Sequence, residues 1–544
     1  MSAFEPTLAD RRFRPRTVMV GGLIAAAALL RLVVAWLPGE WLLRHVLADD
    51  PFYYLTIARN LAGGHGLTFD QVEPTNGFHP LWLFAIAPIF GVFHGSWTAV
   101  HVVLTLAALI DVLALVLLVV LLFDLEVSRA VGVGTAALYA FSPLLLSLAG
   151  PLNGLETAID AAGTFLFLIC YRRAAEHPRG NSSFVGLSIA AAVLFLARTD
   201  SAVLLVFAFS FLFWRARADR RARVRLLVAA VAGVCLTAPW LAWSWSRFGS
   251  IVQVSGLAAA HVTRAMFEAQ SGTWADYAGK FGRNLATLAA YVPVGVGVAS
   301  TLARRASANM AFVAALLVSG ALLARSVSGA ERSAFRARLS VWWPLLLGAC
   351  TFIFVHTVRA VELRSWYFSS LVPIVLVPLA LVADFISRSL LSRPPTLRWL
   401  CGASTTVVFL AMLVHGWTIG LAPRCGELDA YRAIQLANRT LPQGTTLGAW
   451  NAGLFGYFYE RGQVVNLDGL VNNAAYHHVV DRSLGAYVVE RKIDYLIDSD
   501  GAIGFGQTYW NNGRRVSFPA FRPLVEALPG CRRIVLAPLA PANE

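Results

Sequence analysis

The sequence predicts a polytopic α-helical membrane protein of about eleven transmembrane helices, followed by a C-terminal soluble α/β domain outside the cytoplasm. Three observations carry this. Of 544 residues, 57% are hydrophobic and only 14% charged, where a soluble chain has about 25% charged. Apolar runs near the ~20 residues that cross a bilayer recur along most of the chain. The formal charge of +14 is gathered as arginine in short loops, with Lys280 and Lys492 the only lysines. That clustering is topology information under the positive-inside rule, and it excludes a nucleic-acid partner.

Taken in order, Arg11, Arg12, Arg14 and Arg16 precede an apolar run over 18–37. This gives a cytoplasmic start and an uncleaved first span. Residues 38–98 form the first external loop with its juxtamembrane helices. Within it, 81–95 are apolar but broken by Pro88 and Gly91, which suits a half-helix dipping into the outer leaflet. Spans at 99–123, 129–149 and 157–170 lead to Arg172, Arg173 and Arg179 inside. Spans 183–197 and 202–214 flank Arg198-Thr199-Asp200. Arg215, Arg217, Arg220, Arg221, Arg223 and Arg225 are the strongest inside signal, so Glu156, Arg198 and Asp200 fall outside.

After a span at 226–245, residues 246–282 read as external. Of two apolar runs, 284–302 and 309–325, one is taken as re-entrant, because counting both inverts everything downstream. Spans 341–357, 367–386 and 399–416 complete the set, with Arg359, Glu362, Arg364, Trp366 and Tyr367 external. Hydrophobicity then falls. The chain divides into a membrane domain, 1–421, and an extracytoplasmic domain, 422–544. In the latter, 447–451 and 494–498 read as strands and 426–440 as a helix. Cys425 and Cys531 bracket this domain as a disulfide or as two unpaired cysteines. Asn466-Leu467-Asp468-Gly469 reads as a strand-end loop.

The chemistry concentrates in the first loop. Asp49 and Asp50 open it, and Pro51 suits the first turn of a helix. Tyr53, Tyr54, Ile57, Ala58 and Leu61 recur at helical spacing, and Gly63-Gly64 end it. The expectation is a short amphipathic helix on the membrane surface, with acids at its N-terminal end. One Asp would serve as a cap. A second, beside His65, Asn76 and His79, calls for another reason.

The Asp-Asp pair, the Tyr-rich helix with Arg59 nine residues after Asp50, Gly64-His65-Gly66, and Asn76-Gly77-Phe78-His79-Pro80 entering an apolar half-helix resemble the first external loop of GT-C superfamily glycosyltransferases. These include the protein O-mannosyltransferases, the aminoarabinose transferases acting on lipid A and the bacterial arabinofuranosyltransferases. The similarity is clearest over 45–84. It is weaker through Gly154-Leu155-Glu156-Thr157 and Arg364-Ser365-Trp366-Tyr367-Phe368, and absent over 422–544. It implies a GT-C-like multi-pass cell-membrane enzyme using a polyprenyl-phosphate-linked sugar donor on the outer face. Transfer would invert the anomeric centre, to a glycan, lipid or protein hydroxyl, in cell-envelope glycan biosynthesis.

Such a transfer needs a base for the acceptor hydroxyl and cations for the departing phosphate. Asp50, placed like the superfamily's loop acid by its spacing to Arg59, is the candidate base, with Asp49 supporting it or binding a metal. Arg364, Tyr367, Arg359 and Arg59 are the candidates for holding phosphate; Arg364 and Tyr367 equally suit interfacial anchors. His65, Asn76, His79 and Glu156 are candidate substrate contacts. Histidines in such places are more often structural, and Glu156 either caps the span from Thr157 or meets a metal or sugar. Asp49 with Glu156 suits a hard divalent cation, Mg²⁺ or Mn²⁺, and no spacing suggests zinc. Arg198 and Asp200 read as an ion pair at a tight turn. A glycolipid transporter or flippase competes with this reading, but the acids gather at one face and no two halves repeat. A receptor or scaffold explains the C-terminal domain and leaves the double acid unexplained.

Overall fold

The computed structural model describes residues 8–143, 150–176, 181–269, 273–294, 328–360, 363–391, 421–424, 426–510, 522–523 and 533–539, with scattered positions between 318 and 418. The chain is mostly helical. In order it forms α1 (Leu8–Ala35), α2 (Gly39–His45), α3 (Asp50–Ala62), α4 (Pro80–Phe93), α5 (Trp97–Asp124), α6 (Arg129–Phe141), α7 (Thr157–Glu176) and α8 (Asn181–Ala197). Then follow α9 (Ala202–Arg215), α10 (Arg220–Phe248), α11 (Val254–Ala269), α12 (Trp274–Val294), α13 (Gly329–Ser340), α14 (Trp343–Ala360) and α15 (Leu371–Leu391).

Among the described residues, five helices are long and apolar enough to cross a membrane: Val18–Ala35, Trp97–Asp124, Thr199–Ala218, Arg220–Phe248 and Leu371–Leu390. The pair α13–α14, bent by 45°, makes a sixth if it counts as one span. The expectation of about eleven spans is not confirmed. At 1.5 Å per residue, the 13 residues of α6 and 17 of α8 fall short of a ~30 Å hydrocarbon core. Much of the stretches 284–325 and 399–416 lies outside the described residues. Arg31 of α1 and Asp111 of α5 form a buried ion pair at 2.5 Å, closed by the Tyr139 hydroxyl at 2.6 Å and the Ala27 and Ala140 carbonyls. Apolar side chains of α5, α7, α8, α9, α14 and α15 fill the bundle core, among them Phe165, Leu168, Leu194, Leu345, Phe352 and Leu381.

The C-terminal domain begins with α16 (Glu427–Thr440). Its sheet runs in the order β2-β1-β3-β5-β4, built from β1 (Leu447–Ala449), β2 (Val464–Asn466), β3 (Tyr495–Ser499), β4 (Arg522–Pro523) and β5 (Ile534–Pro538). β1 pairs in parallel with β2 and β3, and β5 runs antiparallel to β3 and β4. The connections carry α17 (Gly453–Phe458), α18 (Asn473–Val480) and α19 (Leu484–Glu490), with α20 (Asp500–Gly506) after β3. Cys425 and Cys531 lie outside the described residues.

One apolar core joins α3, α4, the start of α5 and this domain. This corrects the expected surface helix: every residue of α3 from Pro51 to Ala58 is buried. The reason is aromatic packing from far along the chain. Phe52 meets Tyr457 and Phe458 at 5.6 and 5.5 Å, and Tyr53 meets Phe69 edge-on at 5.5 Å. At Gly77 the backbones approach so closely that a Cβ would strike the Leu470 carbonyl.

Candidate active site

The two adjacent acids part company. The Asp49 carboxylate accepts backbone N–H bonds from Gly453 (3.1 Å) and Leu454 (2.7 Å), at the start of α17. It makes no side-chain cap on α3. Arg59 donates to the carbonyls of Tyr457 (2.8 Å) and Gly456 (3.0 Å) at the other end of α17, and stacks on the Tyr457 ring at 5.2 Å. A carboxylate on the free amides and a guanidinium on the free carbonyls satisfy both termini and complement the helix dipole. Asp49 and Arg59 therefore clamp the C-terminal domain onto the first loop, which redirects Arg59 from the phosphate-binding role expected of it. A cavity of about 50 Å³ behind the clamp is lined by Asp49, Asn451, Leu454, Asp498 and Ser499, among others.

The Asp50 carboxylate, by contrast, has no hydrogen-bond partner among the described residues. Burial pushes its pKa up; the positive charge of Arg364 opposes this, and Glu156 adds to it. Glu156 is buried and accepts from Arg198 at 2.5 Å. Arg198 also pairs with Asp200 at 2.8 Å and lies over the Tyr367 ring at 4.7 Å. Asp200 is met in turn by His356 at 3.3 Å, whose ring packs edge-on to Tyr367 at 4.8 Å. His79 Nδ1 accepts from the Thr199 amide at 3.4 Å, which leaves the ring proton on Nε2, 3.8 Å from Glu156. Burial holds the His79 pKa down. The His79 amide donates to the Tyr54 hydroxyl at 3.0 Å. The first loop, α3, α14 and the turns before α7, α9 and α15 thus converge on one group of polar side chains.

The C-terminal domain supplies the facing wall. The Tyr53 hydroxyl donates to the Trp450 carbonyl (3.2 Å) and accepts from the Ala452 amide (3.0 Å). Asp468 accepts from the Leu470 amide at 2.8 Å. Burial, and then the charges of Asp50 and Asp49, push Asp468 up to about 8. Burial, relieved by the Leu454 amide and reinforced by Asp50, pushes Asp49 up to about 7. Asp49, Asp50 and Asp468 are each partly exposed among buried neighbours.

The other expected residues divide. Asn76 is fully buried: its side chain donates to the Ser244 hydroxyl at 2.9 Å and accepts from Val254 and Asn473. Its polar atoms are thus spent on holding the loop, α10 and α18 together. His65 is exposed at the turn after α3. Arg364 is exposed at the start of the turn carrying Tyr367, and Arg359 is exposed at the end of α14. As for Mg²⁺ or Mn²⁺, Asp49 faces backbone amides while Glu156 faces Arg198, so these two donors do not fit one cation. Among the described residues no three His, Cys, Asp or Glu side chains assemble a metal set. Arg198, Asp200, His356 and Asp468 join the candidate site from outside the expected list. The Arg198-Asp200 pair was legible as a turn; its partners Glu156 and His356 lie 42 and about 156 positions away in opposite directions.

Residues 74–243 match the family model described as dolichyl-phosphate-mannose-protein mannosyltransferase, and 425–533 match one described as a domain of unknown function. No curated protein sequence matches the chain. Similar solved structures include an oligosaccharyltransferase from Archaeoglobus fulgidus tethered to an acceptor peptide (13% identity, 90% of this chain and 71% of that one, TM-score 0.48). ArnT from Cupriavidus metallidurans is similar at 12% identity over 96% and 99% of the two chains, with a TM-score of 0.43. The arabinofuranosyltransferase AftD from Mycobacteria is similar at 14% identity over 95% and 41%, with a TM-score of 0.42. The family match takes in Asn76, His79, Glu156, Arg198 and Asp200. The match over residues 74–243 is thus to a protein-mannosyltransferase model, in keeping with the resemblance of the first loop to the GT-C glycosyltransferases.

Proposed function

We propose that this protein transfers a sugar from a polyprenyl-phosphate-linked donor to an acceptor hydroxyl, at the outer face of the membrane. The observation that carries this is Asp50: a partly exposed carboxylate with no hydrogen-bond partner among the described residues, in electrostatic reach of buried Glu156 and of Arg364. Ionisable groups gathered at the end of a membrane bundle are costly and mark a functional site by default. The mannosyltransferase match over 74–243 supports the reaction class, and the arginine loops support the outer face.

In this reading Asp50 takes the proton of the acceptor hydroxyl as its oxygen bonds to the anomeric carbon. The bond from that carbon to the phosphate oxygen breaks on the opposite face, and its electron pair leaves with the phosphate, so the centre inverts. A desolvated carboxylate is a stronger base than one in water, which is what a hydroxyl requires. Arg364, exposed and in electrostatic reach of Asp50, meets the departing phosphate, with Tyr367 and Arg359 nearby in sequence. Glu156, His79 and Tyr54 are placed to hold sugar hydroxyls, with Arg198 fixing Glu156 through their 2.5 Å pair. Asp49 and Glu156 face different partners and do not share a divalent cation in this reading.

The test is direct. Purified full-length protein in proteoliposomes is given polyprenyl-phosphoryl hexoses and pentoses with octyl glycosides as acceptors. Formation of the new glycoside is expected. Movement of a labelled donor lipid between leaflets without glycoside formation would establish the flippase reading in its place.

A further inference from the structure

We propose that Asp468, carried by the C-terminal domain, is a positioning residue of the transfer site: with Asp50 it brackets the hydroxyl-bearing end of a glycan acceptor. The inference rests on the transferase reading above and assigns it an acceptor class. The geometry is that of a fixed turn. Gly469 (φ 79°) reverses the chain after β2, and a Cβ there would strike the Tyr476 backbone. Asp468 closes the turn through the Leu470 amide at 2.8 Å, and buried Asn466 braces it by accepting from the Val471 amide and donating to the Trp450 carbonyl.

The turn is pinned to the first loop on both sides. Before it, Trp450 and Ala452 bond the Tyr53 hydroxyl, and Gly453 and Leu454 bond Asp49. After it, the backbone of Leu470 packs on Gly77, and Asn473 exchanges hydrogen bonds with Asn76. Asp468 therefore stands within electrostatic reach of Asp50, Asp49 and Tyr53, held by the Leu470 amide and the Asn466 side chain. Asp49 is spent on α17, whereas Asp50 has no hydrogen-bond partner among the described residues and Asp468 stands partly exposed on the docked turn. A single Ser or Thr hydroxyl uses one carboxylate; neighbouring hydroxyls on a sugar ring use two, one losing its proton and the other held by a hydrogen bond. The two-walled arrangement therefore favours a glycan acceptor over a peptide.

Full-length protein in nanodiscs is assayed with a panel of polyprenyl-phosphoryl hexoses and pentoses, against octyl mannoside and a Ser/Thr peptide. Wild type, Asp468→Asn and Asp468→Ala are compared. Loss of one hydrogen bond to a charged group raises the KM for octyl mannoside about tenfold in Asp468→Ala, and less in Asp468→Asn, which still accepts from the Leu470 amide. The donor KM moves less than twofold. Unchanged acceptor KM in a folded variant, or equal shifts in donor and acceptor KM, overturns the proposal. So does a wild type that glycosylates the peptide but not octyl mannoside, or one that only hydrolyses donor. A wild type that releases sugar from no donor overturns the transferase reading itself.

Discussion

Two buried charge assemblies in this protein look alike on paper and differ in what surrounds them. Arg31–Asp111–Tyr139 sits within the bundle, and its charges are answered from within: both Asp111 oxygens accept, and Arg31 Nη1 donates to two carbonyls. Glu156–Arg198–Asp200–His356 sits where the bundle meets the first loop, with Glu156 in electrostatic reach of Asp50, which has no hydrogen-bond partner among the described residues. A closed assembly holds helices together. An open one, next to an unspent carboxylate, is equipped for chemistry. Burial of charge is common to both and therefore identifies neither.

That contrast can be broken by mutation. The largest effect on stability belongs to the closed assembly: Arg31→Ala strands Asp111 and should cost about 3–5 kcal/mol. Thermal unfolding in detergent measures it, and turnover per folded molecule should stay near wild type. Gly453→Ala comes next. Its Cβ would sit 3.0 Å from Asp49 Oδ2 and closer still to the Asp49 carbonyl. Overpacking of this kind costs about 1–3 kcal/mol, and limited proteolysis should show the C-terminal domain released.

A smaller, pH-dependent loss follows from the raised acids. Asp49 and Asp468 hold their protons up to about 7 and about 8 in the folded protein, against about 3.9 in an unfolded chain. Between those values the folded state binds more protons, so stability falls as pH rises and is lost by the time the folded pKa values are passed. The unfolding midpoint should be lower at pH 9 than at pH 6, and Asp468→Asn should flatten the difference. The smallest effect is His65→Ala: an exposed turn residue should change stability by less than about 0.5 kcal/mol and transfer by less than twofold.

How far the sequence could reach is visible in single residues. The membrane class, the helix after Asp49, the half-helix from Pro80 and the strands at 447 and 495 all followed from local pattern. Spacing marked Arg59 as well, but with the wrong partner. Its ten-residue separation from Asp49 matches the two ends of α17, nearly four hundred positions away. Asn76 likewise looked like a substrate contact and proves to be a joint between distant segments. Asp468 was read as a plain strand-end turn, because nothing local reveals what a turn will face. Periodicity reports which face of a helix is apolar. It does not report which distant loop will dock there, and here docking decides which of two neighbouring acids stays open.

The central claim is that Asp49 and Asp50 do different work, and single-turnover transfer on donor-loaded protein tests it most directly. Asp50→Asn keeps shape but cannot take a proton, so transfer should fall about 10²–10⁴-fold with donor binding retained. Asp49→Asn should lose far less in rate and more in thermal stability, because its carboxylate holds α17. Near-normal turnover in a folded Asp50→Asn protein, or equal losses from the two substitutions, would contradict the account.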